Sequence, residues 1–289
     1  MDEAEVQRRA RDFVTKVDIS GIRDDLSPYV QEVNAKVKAE ELEHGESGYT
    51  ITKKSGKHLI TVNSLEIEER QRYTICHEIA HIVLELPSNH EEVPPWAYAK
   101  RHPNEVSCDI FAAELLMPYK QWLAVVPKGE PTLEIIQRMA DEFGASFPAA
   151  ASRFACLSDI PCAFVTMERG VIRYSVLSMQ LRQAKAKISP RSPIPIGSVA
   201  HKLRNQGTSA TDTTEVDQDI WFENWEKGLD MWEVSRHYQS TDTTISLLWF
   251  DSDYLPEREV DRFGQYQKDD GGLTELSGVL PWPGRSKRR

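Results

Sequence analysis

The chain has few cysteines and no long apolar run. Its 289 residues include Cys76, Cys108, Cys156 and Cys162 and no CxxC pair. Disulfide frameworks belong to short secreted chains, and zinc ribbons and thioredoxin-type sites need paired thiols. Those classes are excluded, and the four thiols are expected to be reduced. No stretch approaches the ~18 consecutive apolar residues of a membrane-spanning helix. The N-terminal MDEAEVQRRARDF has no apolar signal core, so a cytoplasmic protein without a membrane partner is expected. Acidic residues are missing from 169–211, which holds eight Lys and Arg. The flanking segments 1–168 and 212–289 are net −10 and −8, so the overall −10 conceals one basic island.

What remains is an ordinary globular composition, 40% hydrophobic and 28% charged, which rules out collagen-like, low-complexity and wholly disordered chains. The length favours two domains. Apolar spacing predicts helices over 3–16 and roughly 25–41. Residues 49–53 and 58–62 read as two strands joined by the turn Lys54-Ser55-Gly56-Lys57. Asn63 or Ser64 is expected to cap a long helix that runs to about Leu86 and is stopped by Pro87. The proline-rich segment 87–103 reads as a loop and 104–117 as a second helix. Residues 132–157 read as helix, Gly144 turn, helix, the outline of a helix-turn-helix. Neither helix is notably basic, which favours a hairpin packed on the first domain. From Ile160 onward CAFVTM, VIRYSVL and TTISLLWF read as strands, 189–198 and 207–219 as loops, and the Trp-rich 221–232 as a core or dimer-facing helix. The expected fold class is α+β, with a mainly helical domain over 1–158 that carries a small sheet and the 132–157 hairpin, and a smaller α+β domain over 159–289.

The feature that carries chemistry is His77-Glu78-Ile79-Ala80-His81 within YTICHEIAHIVLEL. Two histidines at i and i+4 project from one face of a helix and can share one zinc ion, and Glu78 is then placed to move protons for a metal-bound water. A catalytic zinc needs a third protein ligand. NEVSCDIFAAELLM offers Glu105, Asp109 and Glu114. Glu105 and Asp109 share a face, so spacing does not choose between them, and Glu114 reads as solvated. Cys76 points away from the ligand face and reads as core. His90 and His102, in the loop between the two motif helices, are candidates for substrate contact. Tyr73 and Tyr98 are candidates for stabilising an oxyanion.

HEIAHIVLELP followed by NEVSCDIFAAELLMP resembles the ImmA/IrrE family of bacterial zinc peptidases, over roughly residues 25–157. That family carries HExxH on one helix and then a glutamate upstream of a FAAxLLMP stretch. Here the stretch is Phe111–Pro118, and Glu105 lies ten residues before Leu115, so the resemblance selects Glu105 as the third ligand. It implies a zinc endopeptidase that cuts one helix-turn-helix repressor, usually neighbour-encoded, and so derepresses an operon for mobile-element transfer, DNA-damage recovery or phage defence. It also allows a GAF-like sensor domain after the peptidase domain.

Two further features bear on regulation. Cys108 is three residues after Glu105, so its thiolate could fill the open zinc position and hold the enzyme latent; the competing reading is a small buried core residue. Arg169, Arg173, Arg182, Lys185, Lys187, Arg191, Lys202 and Arg204, with Tyr174 among them, form the basic island. A nucleic-acid surface activated by single-stranded DNA is one reading. A solvated face paired with the acidic N-terminal domain and a repressor-docking face are the others. A homodimer is possible for such a domain. The alternative function is a non-proteolytic, zinc-containing DNA-binding transcriptional regulator. A toxin–antitoxin or phage-derived interaction module is a further rival.

Overall fold

The structure is a computed structural model that describes residues 2–17, 25–43, 45–87, 102–127, 129–223, 225 and 229–255. Helix α1 (Glu3–Val17) buries Val6, Ala10 and Phe13, spaced three and four apart along one stripe. The expected helix over 25–41 is shorter. α2 (Ser27–Glu32) opens with Pro28 in its first turn and ends before Asn34, whose φ of 52° is left-handed. The chain then extends as β1 (Ala35–Glu40). Val37, the residue that suggested a continuing helix face, is 39% exposed on this edge strand.

β2 (Gly48–Thr52) and β3 (His58–Asn63) form the expected hairpin, with Gly56 at φ 74° and its N–H donated to the Lys53 carbonyl at 2.9 Å. β1 joins β3 in parallel, giving the order β1-β3-β2. A Cβ at Gly48 would lie 2.5 Å from the Thr61 carbonyl oxygen and 2.6 Å from Thr74 Cγ2. Glycine therefore lets β2 lie directly against α3 (Glu68–Leu84). The cap of α3 falls at Ile67, without a side-chain hydrogen bond, and not at Asn63 or Ser64. Asn63 ends β3 instead. Its Nδ2 donates to the Glu46 carbonyl at 2.9 Å, and its Oδ1 accepts from the Leu65 N–H at 3.1 Å. α3 ends at Leu84, where Glu85 turns left-handed (φ 55°) ahead of Pro87.

α4 (Pro103–Leu116) packs across α3 and against α1, and α5 (Tyr119–Val125) follows it. α6 (Leu133–Phe143) and α7 (Phe147–Leu157) are capped by Thr132 and Ser146, with left-handed Gly144 between them. Their apolar faces, Ile136, Met139, Phe143, Ala150 and Phe154, enter the same core as Phe13, Ile79, Phe111 and Trp122. This hairpin packs into the core it shares with α1, α3 and α4.

The second sheet is antiparallel throughout: β4 (Cys162–Glu168), β5 (Val171–Leu177), β6 (Ala210–Asp217), β7 (Asp230–Tyr238) and β8 (Thr243–Trp249), in the order β5-β4-β8-β7-β6. β6 occupies a stretch expected to be a loop. Its threonines suit a pleated edge strand, and its exposed polar residues hid it from a hydrophobic pattern. Among its described residues the Trp-rich segment forms no helix. Trp221 and Phe222 are buried after a 3-10 turn, and Trp232 lies on β7, stacked on Trp249 of β8 at 6.1 Å. One face of this sheet, with Phe164, Val234 and Leu247, shares the core of the helices. The other, with Val165, Met167 and Leu248, is covered by α8 (Met179–Gln183) and α9 (Val199–Gln206). No helix among the described residues is long and apolar enough to cross a membrane.

Candidate metal centre

The i, i+4 spacing on α3 brings the two motif imidazoles edge to face, with ring centroids 4.9 Å apart and Nε2 atoms 3.1 Å apart. α4 supplies the opposing carboxylate. Glu105 Oε2 lies 3.0 Å from His77 Nε2, and its Oε1 lies 3.5 Å from His81 Nε2. Asp109, one turn further along α4, sits on the other side of His77, with Oδ1 3.0 Å from Nδ1. Asp109 also accepts a hydrogen bond from the Tyr73 hydroxyl. His81 Nδ1 is 3.2 Å from the Leu86 carbonyl oxygen. His81 Nδ1 thus has a backbone acceptor, and the Nε2 atoms of both imidazoles are turned toward the point that Glu105 also faces. That is how imidazole ligands are oriented from behind. Of the two carboxylates that spacing left open, Glu105 lies against both Nε2 atoms and Asp109 lies against His77 Nδ1.

Charge follows geometry. Burial disfavours the imidazolium form of His77, but Asp109 and Glu105, helped by the charge of Glu78, outweigh burial and raise its pKa from 6.5 to about 9. Burial likewise opposes the Glu105 carboxylate, yet hydrogen bonds from His77 and His81 hold it well below the usual range. The pocket is built to hold positive charge between buried nitrogen and oxygen donors. Two imidazoles and a carboxylate that converge on one point match the donor set of a divalent ion such as zinc. Glu78 is 1% exposed, and its Oε2 accepts from the Thr50 hydroxyl of β2 at 2.7 Å. Its carboxylate and the two imidazoles also offer ligand atoms that lie within 4.8 Å of one another. Cys108 is fully buried and outside that cluster. Burial first, then the fields of Glu105, Asp109 and Glu78, pushes its thiol pKa up.

Other candidates take structural positions. Glu114 is not solvated: it is 1% exposed, bonded to Arg153 at 2.6 Å and to the Tyr119 N–H at 2.8 Å, and so ties α4 to α7 and α5. Tyr73 is engaged with Asp109. His102 caps α4, its Nδ1 accepting from the Asn104 N–H at 3.2 Å. Cys76 is core, its thiol pushed by burial to about 12. His90 and Tyr98 lie outside the described residues. Thr50 was missed, since nothing in the sequence signals that a strand residue reaches the motif glutamate.

The basic island is largely balanced within its own sheet and does not reach the acidic N-terminal region for these pairs. Arg173 meets Glu168 at 3.0 Å, Lys187 meets Glu223 at 3.0 Å, Lys202 meets Asp212 at 2.8 Å, and Arg204 holds Asp242 at 2.8 Å. Arg169 is 84% exposed, 3.9 Å from Glu168. Acids that flank the island in sequence return beside it on β4, β6 and the turns of the second sheet. Arg182, Lys185 and Arg191 lie in α8 and the turns that follow it.

A solved structure described as a Mycobacterium tuberculosis transcriptional regulator is similar to this chain, with a TM-score of 0.60 at 14% identity, covering 87% of this chain and 77% of that one. At that identity the likeness is one of fold. No curated protein matched the chain. Residues 30–155, which span the small sheet, both motif helices and the α6–α7 hairpin, match the peptidase family described as Peptidase_M78, IrrE N-terminal-like domain. Over these residues the chain is similar to the IrrE N-terminal-like domain of the ImmA/IrrE metallopeptidases.

Proposed function

We propose that the protein is a zinc-dependent endopeptidase that cleaves a helix-turn-helix transcriptional repressor, and that cleavage derepresses a stress or defence operon. The observation that carries the zinc reading is the convergence of His77 Nε2, His81 Nε2 and the Glu105 carboxylate within 3.0–3.5 Å. In this reading those three side chains hold zinc, which when bound polarises the scissile carbonyl and makes water acidic. Glu78 takes the proton from water and delivers it to the leaving amine. Thr50 steadies Glu78 through Oε2, and Asp109 and the Leu86 carbonyl orient the imidazoles. β2, an edge of the small sheet, runs past Glu78 at Thr50, and an extended substrate segment can pair with such an edge.

The regulatory part of the proposal has three elements. Cys108 on zinc holds the enzyme latent, and its position one turn from Glu105 supports this. The region after residue 158 acts as a GAF-like sensor, for which its five-stranded antiparallel sheet is the support. Single-stranded DNA is the trigger, read by the island cations. A second reading, a non-proteolytic zinc-containing DNA-binding regulator, draws support from the description of the fold neighbour. The test is cleavage of the repressor encoded beside this chain, with and without short single-stranded DNA, with Glu78→Gln as the blank. Cleavage by the native protein and none by Glu78→Gln supports the peptidase. Full biological function of Glu78→Gln supports the regulator. DNA-independent cleavage removes the trigger, and latency unchanged in both Cys108→Ser and Cys108→Ala removes the switch.

A further inference from the structure

The turn that joins β4 to β5 is a two-residue hairpin, Arg169-Gly170, with both residues left-handed at φ 52° and 81°. Such turns favour Asn, Asp or Gly at both positions. The loop after α8 contains a second turn, Ser189-Pro190-Arg191-Ser192, closed by the Ser192 N–H on the Ser189 carbonyl at 3.4 Å, with Arg191 left-handed at φ 69°. A turn with proline second and a left-handed third residue favours glycine third. Each turn therefore carries an arginine where the backbone alone prefers glycine or asparagine.

Both arginines line the same hollow of about 230 Å³, together with Arg173, Glu168, Val171 and Ile172. Backbone bonds fix the two turn tips against each other. Arg191 N–H donates to the Ile172 carbonyl at 2.8 Å, Ile172 N–H to Ser192 at 2.9 Å, and Ile194 N–H to Gly170 at 3.0 Å. Arg169 N–H is held by the Asp242 carbonyl at 2.8 Å, and Asp242 is itself gripped through two bonds by Arg204. The guanidinium of Arg204 also covers Gly170, where a Cβ would come within 2.8 Å of it. The lining thus combines three arginines and one glutamate on a braced frame. A conformation that opposes local propensity on two turns that line one hollow points to positions kept for their side chains.

We propose that this hollow binds a small phosphorylated ligand of the nucleotide or sugar-phosphate class. The dianionic phosphate sits between Arg169, Arg173 and Arg191, whose forked donors match its oxygens. Glu168, an acceptor-only carboxylate beside them, takes a hydrogen bond from a sugar hydroxyl. Val171, at 36% exposure, offers an apolar wall. A hollow of this size takes a phosphate and a sugar. The site stands independently of the peptidase reading and is an alternative to single-stranded DNA as the ligand of Arg169, Arg173 and Arg191.

The test is calorimetric titration of the full-length protein with adenosine 5′-monophosphate, ribose 5-phosphate, inorganic phosphate and an oligothymidine without terminal phosphates. It is run on wild type, Arg169→Gly, Arg191→Gly and the double variant. Glycine suits both turns, so the variants are expected to melt at or above the wild-type temperature, which keeps loss of folding out of the result. The expected result is saturable binding of the two sugar phosphates to wild type, at least tenfold weaker binding to each single variant, none to the double variant, and weaker binding of inorganic phosphate. Glu168→Ala should remove the advantage of sugar phosphates over inorganic phosphate. No saturable binding to wild type, equal binding to the double variant, or binding of the oligonucleotide alone would overturn the proposal.

Discussion

Asp109 is the residue whose role the linear sequence hides most. It shares an α4 face with Glu105, and only the crossing of α3 and α4 decides that it backs His77 while Glu105 faces both Nε2 atoms. Carboxylates that orient metal-binding histidines contribute roughly 10–100-fold in metal affinity. Asp109→Asn is accordingly expected to weaken zinc binding by about that factor while far-ultraviolet dichroism stays unchanged. Wild-type affinity in that variant would separate Asp109 from the metal. His77 gives a second prediction at this scale. Its folded pKa, about 9 against an ordinary 6.5, means that the metal-free fold gains from the imidazolium fully below pH 6.5 and loses that gain as pH rises through 9. Thermal melts of chelator-treated protein should fall across that interval. Zinc competes with those protons, so its affinity should rise over the same range. A flat melting profile for the metal-free protein would contradict the charge assignment.

Elements were legible where their pattern is local. HExxH fixes the relation of His77 to His81 through helical pitch alone, and the β2–β3 hairpin is readable from its turn. β1 and β6 were not, because both are edge strands with exposed polar residues, and pairing with β3 and β7 defines them more than their own hydrophobicity does. Trp232, expected on a helix, lies on a strand for a related reason, since it answers to Trp249 across the sheet. The contact of β2 with α3 rests on Gly48. Gly48→Ala forces a Cβ against Thr61 and Thr74 and should push β2, and with it Thr50, away from Glu78. Peptidase activity is expected to fall by an order of magnitude or more while zinc content stays at the wild-type level; unchanged activity would remove β2 from the account. Between helices, Arg153→Ala leaves Glu114 buried without its closest cation and should cost about 3–5 kcal/mol. A chemical denaturation curve that matches the wild type would show the pair to be dispensable.

At the scale of the whole molecule, the two sheets are not independent. Phe164 of β4 is fully buried in the core that also contains Phe111 and Ile79 beside the histidines, and its ring packs on Phe147 of α7. Truncating it to alanine should cost about 3–5 kcal/mol and lower the stability of the helical region and the second sheet together, in one calorimetric transition. Two transitions, only one of them shifted, would show that the shared core does not couple them. The charge pattern also becomes intelligible only at this scale: a run of cations with no acid among them is balanced once Asp212, Glu223 and Asp242 fold back beside it. The account as a whole rests on the metal centre, where the sequence motif and the fold meet. Both Glu78 and Glu105 lie close to the two histidines, and the roles assigned to them differ. Zinc affinity measured by competition with a chromophoric chelator on wild type, Glu78→Gln and Glu105→Ala tests this most directly. Tight binding in the first two and a loss of about 100-fold or more in Glu105→Ala is the predicted result. Wild-type affinity in Glu105→Ala, or its loss in Glu78→Gln, would contradict the assignment.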